Sequence, residues 1–146
     1  MQSVLAIDSG TTGATCLVIA ADGRVLGRGY RELTQHYPEP GRVEHDPTEI
    51  LERTLAAARD AISRSGVVPT TVGITNQRET VVLWDRRTGA PLGRAIVWQD
   101  RRTAERCAAL APQAANIAEC TGLLPYPYFS TTKLGWVLAR DQVRLM

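Results

Sequence analysis

The apolar run Val4-Leu5-Ala6-Ile7 stops on Asp8-Ser9-Gly10-Thr11-Thr12-Gly13, and a second run, Cys16-Leu17-Val18-Ile19-Ala20, starts almost at once. Runs this short and continuously apolar suit strands buried on both faces, and a polar turn containing glycine between them makes the pair antiparallel. Asp22-Gly23 then supplies the two-residue signal of a type I′ hairpin ahead of Arg24-Val25-Leu26-Gly27-Arg28. The opening of the chain therefore predicts a three-stranded antiparallel meander with a polar loop at the end of its first strand.

A Pro- and Gly-rich loop, Tyr37-Pro38-Glu39-Pro40-Gly41, leads to a well-marked helix start: Asp46 as N-cap, Pro47 in the first helical position and Glu49 at the capping-box spacing. Ile50, Leu55, Ala58, Ala61 and Ile62 recur near helical spacing, and Gly66 is the expected stop. Val72-Gly73-Ile74-Thr75 reads as another buried strand, ending at Asn76-Gln77-Arg78-Glu79. Val81 to Asp85 and Ala95 to Trp98 read as further strands. Helical composition follows from Arg101 to Leu110 and from about Ser130 to Arg140, the last with Leu134, Val137 and Leu138 as its apolar face. Strands and helices in this order predict an α/β domain with a mixed sheet.

Composition narrows the class. With 146 residues, 44% hydrophobic and 22% charged, the chain has the make-up of one soluble globular domain or one piece of a larger one. Its net charge of +2 is spread along the sequence, which argues against nucleic acid as a partner. No apolar stretch approaches the roughly 18 residues of a membrane helix, and the start lacks the pattern of a secretory signal, so a cytoplasmic protein is expected. Cys16, Cys107 and Cys120 are widely spaced, without a C-x-x-C pair, and read as reduced packing residues.

Two constellations carry chemistry. In Asp8-Ser9-Gly10-Thr11-Thr12 a glycine allows close backbone approach to a phosphate, turn amides and Thr hydroxyls can donate to its oxygens, and an Asp at a strand end can hold Mg²⁺ through water. An ordinary hairpin turn would use the same residue types. There is no G-x-x-x-x-G-K-[ST]. Arg78-Glu79 follows a strand end, where open α/β sheets place ligands, and offers donors beside an acceptor, as a neutral polyol requires. Trp98 and Tyr128 could complete that site by covering C–H surface and adding a directional hydroxyl, although each taken alone reads as a core residue before a ligand.

The segments Asp8-Ser9-Gly10-Thr11-Thr12, Tyr37-Pro38-x-Pro40-Gly41-x-Val43-Glu44-His45-Asp46-Pro47 and Gly73-Ile74-Thr75-Asn76-Gln77-Arg78-Glu79-Thr80 resemble successive segments of glycerol kinases. Ala95-Ile96-Val97-Trp98-Gln99 with Arg101-Arg102-Thr103, and Pro127-Tyr128-Phe129-Ser130 with Thr132-Lys133, do so as well. The resemblance covers nearly all of the chain. It implies the ribonuclease-H-like mixed-sheet fold shared by actin and sugar kinases, and a chain (residues 1–146) that is the N-terminal part of the first kinase domain, with the rest of that domain and a C-terminal nucleotide domain absent.

What the resemblance implies for function is an ATP:glycerol 3-phosphotransferase, with ATP and Mg²⁺ as cofactors and glycerol as substrate. Asp8 is then the metal-site residue. Thr11, Thr12 and Gly13 line the nucleotide phosphate loop; Arg78, Glu79 and Tyr128 hydrogen-bond glycerol, and Trp98 packs on its carbon skeleton. The catalytic base is an Asp expected beyond Met146, so the chain alone is expected to be inactive. The alternatives are a kinase of a related polyol or sugar, and a non-enzymatic binding or self-associating module; homo-oligomer formation is left open for the complete protein. Thr15, where many glycerol kinases carry an Arg, along with Ser9, Arg42 and Thr131, departs from the family pattern.

Overall fold

The computed structural model describes residues 2–141. In chain order the elements are β1 (Ser3–Ser9), β2 (Gly13–Ala20), β3 (Val25–Glu32), β4 (Glu44–His45), α1 (Pro47–Ser65), β5 (Thr71–Asn76), β6 (Ala95–Ile96), α2 (Ala104–Ala109), a 3₁₀ turn at Ala111–Gln113, α3 (Ala114–Thr121) and α4 (Ser130–Asp141). The mixed sheet expected from the sequence forms in the order β3-β2-β1-β5, antiparallel throughout except for the parallel pair β1/β5.

The β2–β3 turn is not the type I′ turn that Asp22-Gly23 suggests. Only Gly23 has positive φ, +85°, and its N–H donates to Ala20 O at 2.9 Å. The Asp22 carboxylate instead accepts from the Arg24 N–H at 3.1 Å and its guanidinium at 2.8 Å, which holds the turn in a wider form.

Helix α1 lies across β3 and β2, reaching only the margin of β1. Asp46 caps it by accepting from the N–H of Thr48 and Glu49, and Gly66 closes it in the left-handed conformation, both as predicted. Its buried face is Ala57, Ala58 and Ala61, while Leu55 is exposed. Small residues are needed there because the helix backbone sits directly on β3: a Cβ on Gly27 or Gly29 would collide with the carbonyls of Ala61 and Ala57. The core under the helix is completed by Leu5, Ala14, Cys16 and Val18.

Strand β5 corrects an expectation. Val72 and Ile74 pair with Leu5 and Ile7, so they share the face that α1 covers, yet they are 56% and 74% exposed. The helix stops short of them, and β5 is the edge of the sheet among the described residues.

The second half is held less by regular pairing than by polar contacts. β4 and β6 form a two-residue antiparallel ladder. The strand expected at Val81 to Asp85 is reduced to single bridges, Val81 to Ile96 and Trp84 to Pro91. Pairing ends there because the Asp85 carboxylate turns the chain, accepting from the N–H of Arg87 and Thr88 at 2.8 Å each. In α4 the residues that are buried are Thr132 and Lys133, whereas Leu134, from the expected apolar face, is exposed. Cys16 and Cys107 are buried free thiols as expected, but Cys120 is exposed and is no packing residue.

Candidate functional site

The loop between β1 and β2 is closed by Gly10 N–H on Gly13 O at 3.1 Å. Asp8, near the end of β1, lies between Thr15 of β2 and Thr75 of β5 in the sheet register. Its carboxylate is exposed and has no hydrogen bond or ion pair with the described residues, so it is available to a cation or its waters. Thr12 is exposed and uses its carbonyl to accept from Leu33 N–H at 3.0 Å. Thr11 is half-buried: its carbonyl accepts from Gln35 Nε2 at 2.8 Å and its hydroxyl from Trp98 Nε1 at 2.9 Å. Gly13 is buried, and any side chain there would strike Arg31 O and the Tyr30 ring. Packing against β3 thus requires this glycine independently of any phosphate.

Arg78 and Glu79 leave the C-terminal end of β5, the same edge at which Asp8 and Thr11 leave β1, as expected of a ligand site on parallel strands. Among the described residues Glu79 is the only non-glycine with positive φ, +64°. Its Oε2 accepts from both the N–H and the hydroxyl of Ser130, at 2.9 and 2.7 Å. Its Oε1 takes no hydrogen bond from the described residues. Arg78 is exposed and likewise unpaired with them.

Trp98 and Tyr128 meet edge to face with ring centroids 5.8 Å apart, and both line a cavity of about 230 Å³ together with Gln99, Asp100, Tyr126 and Pro127. The sequence-predicted residues therefore come together in part. Trp98 contacts both Thr11 and Tyr128, and Glu79, Trp98 and Tyr128 share Lys133, whose Nζ donates to all three carbonyls. Arg78 stands on the same edge without touching that group.

Sequence reasoning missed the polar residues beneath this surface. Buried His45 lies between two amides, Nε2 at 2.9 Å from Gln35 Oε1 and Nδ1 at 3.1 Å from Gln77 Nε2. Gln35 also holds Thr11 O, and Gln77 Oε1 accepts from Thr80, whose hydroxyl accepts the Trp98 N–H. One chain of hydrogen bonds thus runs from the β1–β2 loop to the cleft. Burial pushes the His45 pKa down, helped by His36 and opposed by Glu49.

Asp100 is buried with both carboxylate oxygens occupied, accepting from Val43 N–H at 2.7 Å, Arg102 N–H at 2.9 Å and the Arg102 guanidinium. Burial would raise its pKa, but the hydrogen bonds from Arg102 and Val43 hold it below the usual carboxylate range. Arg102 also reaches Glu44 at 2.8 Å and stacks over Trp136, tying β4 to α4. His45, Gln77, Thr80, Arg102 and Lys133 all lie inside the segments that carry the family resemblance, which is the one signal that could have found them. Of the departures from the family pattern, Ser9 bonds Thr54 of α1 and Arg42 pairs with Glu39.

The model of the FGGY family of carbohydrate kinases, N-terminal domain, matches residues 3–145. A glycerol kinase of Citrifermentans bemidjiense is 53% identical over 145 residues, covering 96% of this chain and 29% of its own length. Among solved structures, a glycerol kinase of Plasmodium falciparum with ADP superposes with a TM-score of 0.92 at 32% identity, over 97% of this chain and 29% of its own. A xylulose kinase of Rhodospirillum rubrum gives 0.89 at 25% identity, over 97% and 30%. The chain thus spans under a third of the relatives it matches, and its sheet is that of sugar kinases with the ribonuclease-H-like, actin-like fold. A match over almost every residue, with a polar loop and a cleft meeting at one sheet edge, gives the family: the chain belongs to the FGGY carbohydrate kinases.

Proposed function

We propose that this chain is the N-terminal part of the first domain of a cytoplasmic ATP:glycerol 3-phosphotransferase, which moves the γ-phosphoryl group of ATP to a terminal hydroxyl of glycerol. The observation that carries this reading is the position of Trp98. Its indole N–H is bound to Thr11 of the β1–β2 loop while its ring edge meets Tyr128 of the cleft, so the phosphate-type loop and the polyol-type cleft share one side chain.

Each residue then has a task that its surroundings permit. The exposed carboxylate of Asp8, unpaired with the described residues, fits a hydrated cation; Mg²⁺, when bound, would offset the charge of the phosphates. Thr11 accepts from Trp98 and keeps its own proton to donate, and Thr12 presents an exposed hydroxyl beside it. With Gly13 they form the loop that would cradle the phosphate chain. Arg78 brings guanidinium donors and Glu79 the free Oε1 acceptor, a pair suited to substrate hydroxyls, with the Trp98 ring against C–H surface and the Tyr128 hydroxyl adding a further bond.

The hydroxyl proton must leave as the new O–P bond forms. Asp100 has both oxygens occupied by Val43 and Arg102, so it is not assigned as the acceptor. We place the base in the part of the enzyme beyond residue 146, and residues 1–146 alone then transfer no phosphoryl group.

The test is the full-length protein assayed with ATP on glycerol and on xylulose. Turnover of glycerol is expected; an inert glycerol with phosphorylation of the pentulose overturns the substrate assignment. In the same protein Arg78→Ala should weaken glycerol binding by on the order of 1.5–3 kcal/mol, the range for a bond to a charged group. Because Arg78 makes no hydrogen bond or ion pair with the described residues, thermal stability should stay nearly unchanged. An unaltered glycerol dependence removes Arg78 from the site.

A further inference from the structure

Lys133 has the largest side chain among the described residues that is fully removed from solvent, with 0% exposed. A buried ammonium is normally matched by a carboxylate, since taking it out of water unpaired is costly. Here no carboxylate lies within ion-pairing distance among the described residues. Its three protons go instead to three backbone carbonyls, Tyr128 O at 2.7 Å, Glu79 O at 3.2 Å and Trp98 O at 3.4 Å. The carbonyls come from three separate segments, after β5, after β6 and before α4, and they belong to three of the four residues read above as polyol contacts.

A second observation points the same way. Glu79 adopts φ +64°, a left-handed backbone that residues with a side chain avoid unless the surroundings enforce it. What enforces it is the first turn of α4: Lys133 Nζ holds the Glu79 carbonyl, while the Ser130 N–H and hydroxyl both hold Oε2. With Oε2 fixed twice, Oε1 is left as the acceptor without a partner among the described residues.

We propose that Lys133 and Ser130 are positioning residues of the polyol site, the first turn of α4 setting the mutual placement of Glu79, Trp98 and Tyr128 without either residue touching substrate. This rests on the reading of Glu79, Trp98 and Tyr128 as that site. Burial lowers the Lys133 pKa, opposed by the charges of Asp100 and Glu79 nearby.

The test uses the full-length protein with Lys133→Met, which keeps the length of the side chain and removes its donors, and Ser130→Ala, which removes one of the two bonds to Oε2. For each, the KM for glycerol, the KM for ATP and the thermal midpoint are measured. Lys133→Met should raise the glycerol KM about tenfold or more and Ser130→Ala severalfold, with the ATP KM within about twofold of wild type. A merely structural role would lower the thermal midpoint and the active fraction while the folded molecules kept the wild-type glycerol KM. That result in Lys133→Met overturns the proposal. Should Lys133→Met not fold, an unchanged glycerol KM in Ser130→Ala overturns it alone. Arg78→Ala separates the two levels: if it weakens glycerol binding while both α4 variants do not, the positioning role fails and the site stands. If the wild-type protein does not bind glycerol, the site reading falls and the positioning role with it.

Discussion

Trp98 Nε1 donates to Thr11 Oγ1 at 2.9 Å, joining residues that are 87 positions apart. The bond links a loop at the end of β1 to the segment that follows β6, two places that share no regular pairing. It makes the orientation of the indole depend on the loop, so the two halves of the proposed site should be energetically coupled.

A double-mutant cycle reads that coupling. Trp98→Phe keeps an aromatic ring and loses the donor; Thr11→Val keeps the shape and loses the acceptor. Measured on glycerol kcat/KM of the full-length protein, the two changes should be non-additive by about 1 kcal/mol, the net worth of one such hydrogen bond. Additivity within roughly 0.3 kcal/mol would mean that the bond does not connect loop and cleft in function.

Asp100 lies at the cleft wall yet is a structural acid. It is buried against Arg102, and its oxygens also fix the backbone at Val43 and Arg102. Asp100→Ala leaves the buried Arg102 guanidinium with Glu44 alone and two N–H groups unsatisfied. The loss should be about 3–5 kcal/mol of unfolding free energy by urea titration, the range for breaking one partner of a buried pair. A loss below about 1 kcal/mol would place the pair with weak surface ion pairs.

The features legible in the sequence were the ones encoded by neighbours in the chain. Asp46, Pro47 and Gly66 bound α1 because capping is local, and Val4 to Gly13 reads as strand and loop from its own pattern. Lys133 and His45 carry no such mark. A polar residue is buried only because distant groups arrive to bond it, three carbonyls for one and two amides for the other. Apolar spacing misled at Leu134 for the same reason: α4 packs its first turn on polar backbone, not on an apolar surface. The resemblance between segments singled out Glu79, Trp98 and Tyr128 as candidates, but their order in sequence does not disclose that one ammonium joins them.

His45 supplies a pH signature. Its folded pKa is lowered, so the stability of its neutral ring is fully present above the unfolded histidine value of about 6.5 and is lost as pH falls below it towards the folded value. Protonation would put a donor at Nδ1 against the Gln77 NH2 group and break that link, while Nε2–H keeps its bond to Gln35 Oε1. Thermal unfolding of the full-length protein between pH 8 and 5 should therefore fall more steeply for wild type than for His45→Gln. The difference is bounded by about 1.4 kcal/mol per pH unit for one proton. Since His36 is present in both proteins, parallel curves would assign the acid sensitivity elsewhere.

The edge strand governs how the isolated polypeptide behaves. Among the described residues β5 is hydrogen-bonded on one side only, to β1, and it presents Val72 and Ile74 largely to solvent, with exposed Val68 just before it. An open, apolar strand edge is a template for pairing with another chain. Residues 1–146 expressed alone should self-associate, seen by sedimentation velocity as concentration-dependent species heavier than 15.9 kDa. Replacing Val72 and Ile74 by Thr keeps β-branched residues in the strand while removing apolar surface, and should shift the distribution towards monomer. A wild-type polypeptide that stays monomeric and unfolds cooperatively would show that this edge is tolerated in water, and would revive an independent role for the short chain.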